Sequence, residues 1–138
     1  MDKTTMMKRR KFLSAAAAFT VTASTINTCS TNNQGKNQMV HHVFFWLKNP
    51  GSIADRDKLI EGVKSLKDIE TIRQMHIGVP ASTEQRDVVD NSWHVSELLF
   101  FDDAADEKIY QDHPTHQAFV KNYSHLWSKV VVYDVLEV

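Results

Sequence analysis

Val40 to Leu47 reads VHHVFFWL, a run dense in β-branched and aromatic residues that stops at the turn signal Asn49-Pro50-Gly51, and it predicts a strand. A strand on an open sheet alternates apolar and polar residues, so that one face meets the core and the other meets water. This one is apolar on both sides. Val43, Phe45 and Leu47 share one face, and Phe44 and Trp46 share the other. How the chain covers both faces decides the fold.

Reading outward, Ser52 is placed to cap residues 53–69, IADRDKLIEGVKSLKDI, with Asp55 completing a capping-box-like start. Leu59, Ile60, Val63 and Leu66 recur at helical spacing, so this helix needs a surface to pack on. Residues 72–79 alternate, with Arg73, Met75, Ile77 and Val79 opposite Gln74, His76 and Gly78, and predict a second strand ending at Pro80. Residues 81–92 are polar and lack periodicity, as a long loop does. Residues 93–101, WHVSELLFF, predict a third strand, closed by Asp102-Asp103 at the cap of a short helix running to about Gln111. Pro114 suits the first position of another helix that carries Ala118, Phe119, Asn122, Tyr123 and Leu126 on one face. Residues 130–138, VVVYDVLEV, supply the last strand.

The order β, α, β, β, short α, α, β predicts an α+β fold, a mainly antiparallel four-stranded sheet with helices on one face. The other face then carries Phe44 and Trp46 beside apolar residues of the third strand. Leaving it in water would forfeit several kcal/mol at ~25 cal/mol per Å². No strands remain to cover it, so a homodimer packed sheet on sheet is expected, with an enclosed pocket as a consequence.

The first 29 residues have the three parts of an export signal. Lys8, Arg9, Arg10 and Lys11 are basic, and residues 12–21 form a short apolar run, below the ~20 residues that span a bilayer. Arg9-Arg10 resembles a twin-arginine signal, and a general secretory signal fits as well. Ile26-Asn27-Thr28-Cys29 resembles a lipoprotein processing site, although Thr28 departs from the small residue usual before the cysteine. Lipidation at Cys29 and a plain signal with an incidental cysteine are both open. Either places the protein outside the cytoplasm, in the periplasm or cell envelope. Cys29 is the sole cysteine, so no intrachain disulfide can form. Residues 30–38 are polar and predict a flexible tether, with the domain spanning 39–138.

Five of the sixteen Lys and Arg, but one of the seventeen Asp and Glu, lie in residues 1–29, which leaves eleven basic against sixteen acidic residues beyond them. A domain this acidic, without a basic stripe, is a poor nucleic-acid binder.

Four segments, MVHHVFFW, WHVSELLFF, YQDHPTHQAFV and VVVYDV, together resemble the stress-responsive A/B barrel (Dabb) domain family, and Tyr-x-x-His-Pro-x-His-x-x-Phe is the most specific of the patterns. The resemblance implies a ferredoxin-like subunit that dimerises through its sheets into a dimeric α/β barrel. Many members have no established activity. The best understood are small cyclases and lyases without cofactors, among them a plant polyketide cyclase that closes an aromatic ring by aldol condensation. Carried over by position, its working Tyr and His become Tyr110 and His116, and the assisting histidines of the first and third strands become His42 and His94. His42 is taken because Met-Val-His-His aligns ungapped with the family's start; His41 stands next to it.

His113 and His116 lie three apart with Asp112 adjacent, a pattern that can hold a metal, yet no HExxH or cysteine cluster accompanies them. His113 precedes Pro114 and suits a helix cap. His116 falls on the apolar stripe with Phe119 and Tyr123, where burial would keep it neutral and able to act as a base while Tyr110 donates a hydrogen bond. Glu97 sits between apolar neighbours, and Arg73 is a candidate partner for it across the sheet. Two functions follow. One is a cofactor-independent cyclase or lyase using the His116 and Tyr110 pair, and the other is a non-catalytic protein that holds a small apolar or aromatic molecule or serves a structural stress role.

Overall fold

A computed structural model describes residues 37–138. The export signal expected in residues 1–29, Cys29 with its lipid anchor and most of the tether lie outside the described residues. Among the described residues no helix is long and apolar enough to cross a membrane.

Four strands form one sheet: β1 (Met39–Leu47), β2 (Gln74–Gly78), β3 (Val95–Phe101) and β4 (Trp127–Leu136), in the order β2-β3-β1-β4 and antiparallel throughout. Three helices pack on one face: α1 (Ile53–Lys64), α2 (Ala104–Asp112) and α3 (Pro114–Tyr123). The expected four-stranded antiparallel sheet with helices on one face is therefore present. The expected dimeric α/β barrel is not. The sheet is open, with β2 and β4 at opposite edges, because closing a sheet on itself takes roughly eight strands and this one has too little width.

β1 is central, and its residues alternate strictly between buried and half-buried along its whole length. Met39, His41, Val43, Phe45 and Leu47 face the helices. There they meet Val95, Leu99 and Phe101 of β3 and Leu59, Val63, Tyr110 and Phe119 of the helices, all in one buried cluster. Each such side chain contributes roughly 1.5–3 kcal/mol by leaving water. Val40, His42, Phe44 and Trp46 point the other way, alongside Leu98 and Phe100 of β3 and Tyr133 and Val135 of β4. Among the described residues no helix lies over this face, although its apolar residues call for a cover.

Local chemistry sets the boundaries. Ser52 Oγ accepts from Asp55 N–H at 3.1 Å, while the Asp55 carboxylate takes a bond from Asn49 instead of reaching back to the cap, so only half of a capping box forms. Asp103 caps α2 by accepting from the N–H groups of Ala105 and Asp106. β4 starts at Trp127, three residues ahead of the expected start, because a register shift opposite Trp46 and Leu47 lets pairing continue past Lys129. Ser128 Oγ donates to the Trp46 carbonyl there.

Gly62 of α1 lies directly beneath the Tyr123 ring of α3, and a Cβ at this position would sit 2.7 Å from the ring carbons. A packed aromatic ring cannot yield as a flexible chain end can. Helix propensity alone favours Gly62→Ala by ~1 kcal/mol. The clash should reverse the sign and destabilise the fold by about 1–3 kcal/mol, read as a lower urea midpoint; an unchanged or higher midpoint would mean that α1 and α3 are not packed this closely.

Candidate functional site

The chemistry of the helix side begins with the pleat of β1. His41, Val43 and Phe45 point inward, and Val43 pairs with Glu97 of β3 while His41 pairs with Asp134 of β4. Tyr110 is in the last turn of α2 and His116 in the first turn of α3. Between them His113 is extended, at φ −65° and ψ 134°, as the residue before a proline must be. Its Nδ1 accepts from Thr115 N–H at 3.1 Å, which makes it the cap of α3. That break folds the two helices so that the Tyr110 and His116 rings lie with centroids 4.5 Å apart.

These residues line a cavity of about 120 Å³ between sheet and helices, with Phe119 and Trp127 as further walls and Val120, Val130 and Val132 at its exposed rim. Glu97 is 1 % exposed and Tyr110 likewise 1 %. The Tyr110 hydroxyl donates to Glu97 Oε1 at 3.2 Å. Burial pushes the Glu97 carboxyl up to about 8, and the bond from Tyr110 draws it back only in part. At neutral pH the group is largely a carboxylic acid. Burial, reinforced by Glu97, also pushes the Tyr110 phenol far above its ordinary value, so it serves as a hydrogen-bond donor and not as a phenolate.

Burial lowers the His116 imidazole below its ordinary value, with His41 acting in the same direction and the Gln111 carbonyl and Glu107 opposing. His116 is therefore neutral at pH 7. Its Nδ1 lies 3.1 Å from the Gln111 carbonyl. A carbonyl can only accept, so Nδ1 carries the proton and Nε2 is left as an acceptor. His41, 4 % exposed, places Nδ1 2.6 Å from the Asp134 carboxylate, which fixes its proton in the same way.

Of the four residues proposed from sequence, Tyr110 and His116 come together and the other two lie elsewhere. His42 is on the opposite face of the sheet, stacked on Phe44 at 4.1 Å between centroids, and burial together with His76 and His41 lowers its pKa. His94, just ahead of β3, uses Nδ1 to accept from Leu47 N–H at 3.1 Å. It lines a separate recess of about 350 Å³ with Arg56, Ile53 and Trp93. The sequence reasoning passed over His41, which the strand period would have identified: it shares parity with the inward Val43 and Phe45. Arg73 is not the partner of Glu97. It precedes β2 and pairs instead with Asp102 at 2.9 Å and Asp106 at 3.2 Å. Among the described residues no group of three or more His, Cys, Asp or Glu is arranged to hold a metal.

The protonated Glu97 ties stability to pH. With its pKa raised from 4.5 to about 8, the folded chain keeps a proton that the unfolded chain gives up. This contribution is whole below pH 4.5, shrinks as pH rises, and is exhausted above about 8. His116, with a lowered pKa, acts oppositely, losing stability as pH falls below 6.5, so the informative quantity is the difference between wild type and Glu97→Gln. The variant, measured by urea unfolding at successive pH values, should gain on the wild type steadily from pH 4.5 to about 8. Parallel curves would show that Glu97 is ionised when folded.

No curated protein matches the chain. Among solved structures it is similar to a ferredoxin-like Dabb protein of Mesorhizobium loti, at 22% identity and TM-score 0.60 over 74% of this chain and 98% of that one. It is similar to a protein of unknown function from Bacteroides fragilis, described as dimeric and ferredoxin-like, at 20% identity and TM-score 0.56 over 72% and 95%. A hydroxynitrile lyase of Passiflora edulis matches at 20% identity and TM-score 0.61 over 73% and 94%. At these identities the likeness shows the fold alone. The sequence pattern of the stress responsive A/B barrel domain matches residues 39–137, and the chain therefore belongs to the Dabb family.

Proposed function

We propose that this Dabb domain is a non-catalytic binding module, holding a small, mainly apolar molecule in the cavity between sheet and helices and pairing with a second copy through the bare sheet face. The observation that carries the binding role is the state of the polar groups around the cavity. The protons of Tyr110, His116 and His41 are each committed to a protein acceptor, namely Glu97, the Gln111 carbonyl and Asp134. Such a ring is satisfied at rest and leaves mostly apolar wall, which suits a ligand held by packing.

Self-association is supported by the apolar face of Phe44, Trp46, Leu98 and Phe100, and by the dimeric description of the Bacteroides fragilis neighbour. Burying Phe and Trp side chains across a two-fold axis would stabilise the pair by several kcal/mol at ~25 cal/mol per Å².

A catalytic role is the second reading, favoured by one observation: the His116 ring, beside that of Tyr110, leaves its Nε2 unprotonated as a base on the cavity wall. Under it, once a substrate is in hand, His116→Ala and Tyr110→Phe would each slow turnover by about a hundredfold or more.

Two measurements test the binding reading. Toluene titrated against the full chain should perturb Trp127 and Val132 resonances, and Val132→Phe, which narrows the rim, should abolish the shifts; no response in the wild type would end the ligand role. By light scattering the wild type should have a dimer's mass and Phe44→Lys a monomer's. If Phe44→Lys and Trp46→Lys combined still give a dimer, the contact is not on this face.

A further inference from the structure

Three of the polar groups around the cavity have no proton to offer a ligand. Tyr110 donates to Glu97, and the Nδ1 protons of His116 and His41 go to Gln111 O and Asp134. The formal charges near the cavity are carboxylates: Asp134 at 2.6 Å and Glu107 at 3.9 Å from His41 Nδ1. Glu97 is the exception. It lines the cavity, it is 1 % exposed, and no ion pair among the described residues includes it. Its Oε1 accepts from Tyr110, and as an acid its remaining capacity includes one O–H donor.

We propose that Glu97 is the recognition group of this cavity and that it selects an uncharged, roughly one-ring molecule bearing an acceptor oxygen, a ketone, aldehyde or amide carbonyl, over the matching carboxylate. The inference rests on the reading of the cavity as a ligand site and adds the chemical class. Size follows from volume: about 120 Å³ is close to the roughly 150 Å³ apolar cavity that holds a benzene ring. Class follows from the donor count. A carbonyl needs one donor, and Glu97 supplies one. A carboxylate would need several, would meet Asp134 and Glu107 as like charges, and would be desolvated without compensation.

The selection depends on pH. The titratable groups that share the cavity wall with Glu97 are Tyr110 from α2, His41 from β1 and His116 from α3, while Glu107 and Asp134 lie against His41. Tyr110 and His116 are shifted away from the alkaline range, upward and downward respectively. Loss of the Glu97 proton, centred at about 8, removes the donor and places a carboxylate on the cavity wall.

The test uses three probes of nearly equal size, toluene, acetophenone and benzoate, titrated by NMR against the full chain with Val130, Val132 and Trp127 as reporters. Acetophenone should bind at least about tenfold more tightly than benzoate near neutral pH, and should weaken about tenfold for each pH unit above the Glu97 pKa. In Glu97→Gln, whose fold is checked by circular dichroism, the amide still donates, so acetophenone binding should persist without the pH dependence. If toluene binds but benzoate equals acetophenone, or if the pH dependence survives in Glu97→Gln, the assignment to Glu97 is overturned while the ligand site stands. If none of the three shifts the reporters, both are overturned.

Discussion

The alternation of β1 is the constraint on which the rest of the molecule depends. Each step along this central strand sends a side chain to the opposite face. His41, Val43 and Phe45 therefore enter the helix-covered core, while His42, Phe44 and Trp46 line a bare face. Shifting the register by one residue would exchange the two sets. It would replace the buried His41 and its Asp134 partner with His42 and put Phe45 in water. A single strand thus fixes both where the proposed ligand would sit and where the proposed second copy would dock.

The second consequence is electrostatic. β3 keeps Glu97 in register with Val43, inside the core, where no ion pair among the described residues includes it. Burying an ionised carboxylate unpaired costs several kcal/mol even after relaxation. The bond from Tyr110 contributes about 1–3 kcal/mol when its acceptor is charged and less when neutral. Desolvation outweighs it, and the group is held as an acid up to about pH 8. The Tyr110 phenol and the His116 imidazole answer the same pressure by staying neutral. The uncharged state of Glu97, Tyr110 and His116 is thus a result of their burial.

Much of this was readable from residue order because the signals were local. The two-faced pattern of VHHVFFWL, the cap at Ser52, the helix entry at Pro114 and the position of His113 each depend on neighbours within a few residues, and the structure has them where chain chemistry places them. The encounter of Tyr110 with His116 was also local, six residues bent at a proline. What failed was non-local. His42 was preferred over His41 by alignment with a family pattern, although parity with Val43 and Phe45 carried the better information. His94 was grouped with the others because the family resemblance carries an assisting histidine onto the third strand, yet that end of the strand opens on a different recess. Arg73 was matched to Glu97 by charge alone, and the register gives it to Asp102 and Asp106. The barrel was carried over from the family resemblance, whereas the need to cover an apolar face asks only for a partner and lets the four strands remain open.

The two proposed roles meet at β4. It is an edge strand, bonded to β1 and carrying Val130 and Val132 at the rim of the cavity on one face and Tyr133 and Val135 on the other. Those residues stay substantially exposed in the single chain, Tyr133 at 59 % and Val135 at 55 %. A partner packed on the outer face and a ligand packed on the inner one would therefore order the same backbone. Each would lower the conformational entropy that the other must remove, and the resulting coupling is equal in both directions. Under the two proposed roles, the pleat that would separate the ligand from the second copy would also link their free energies.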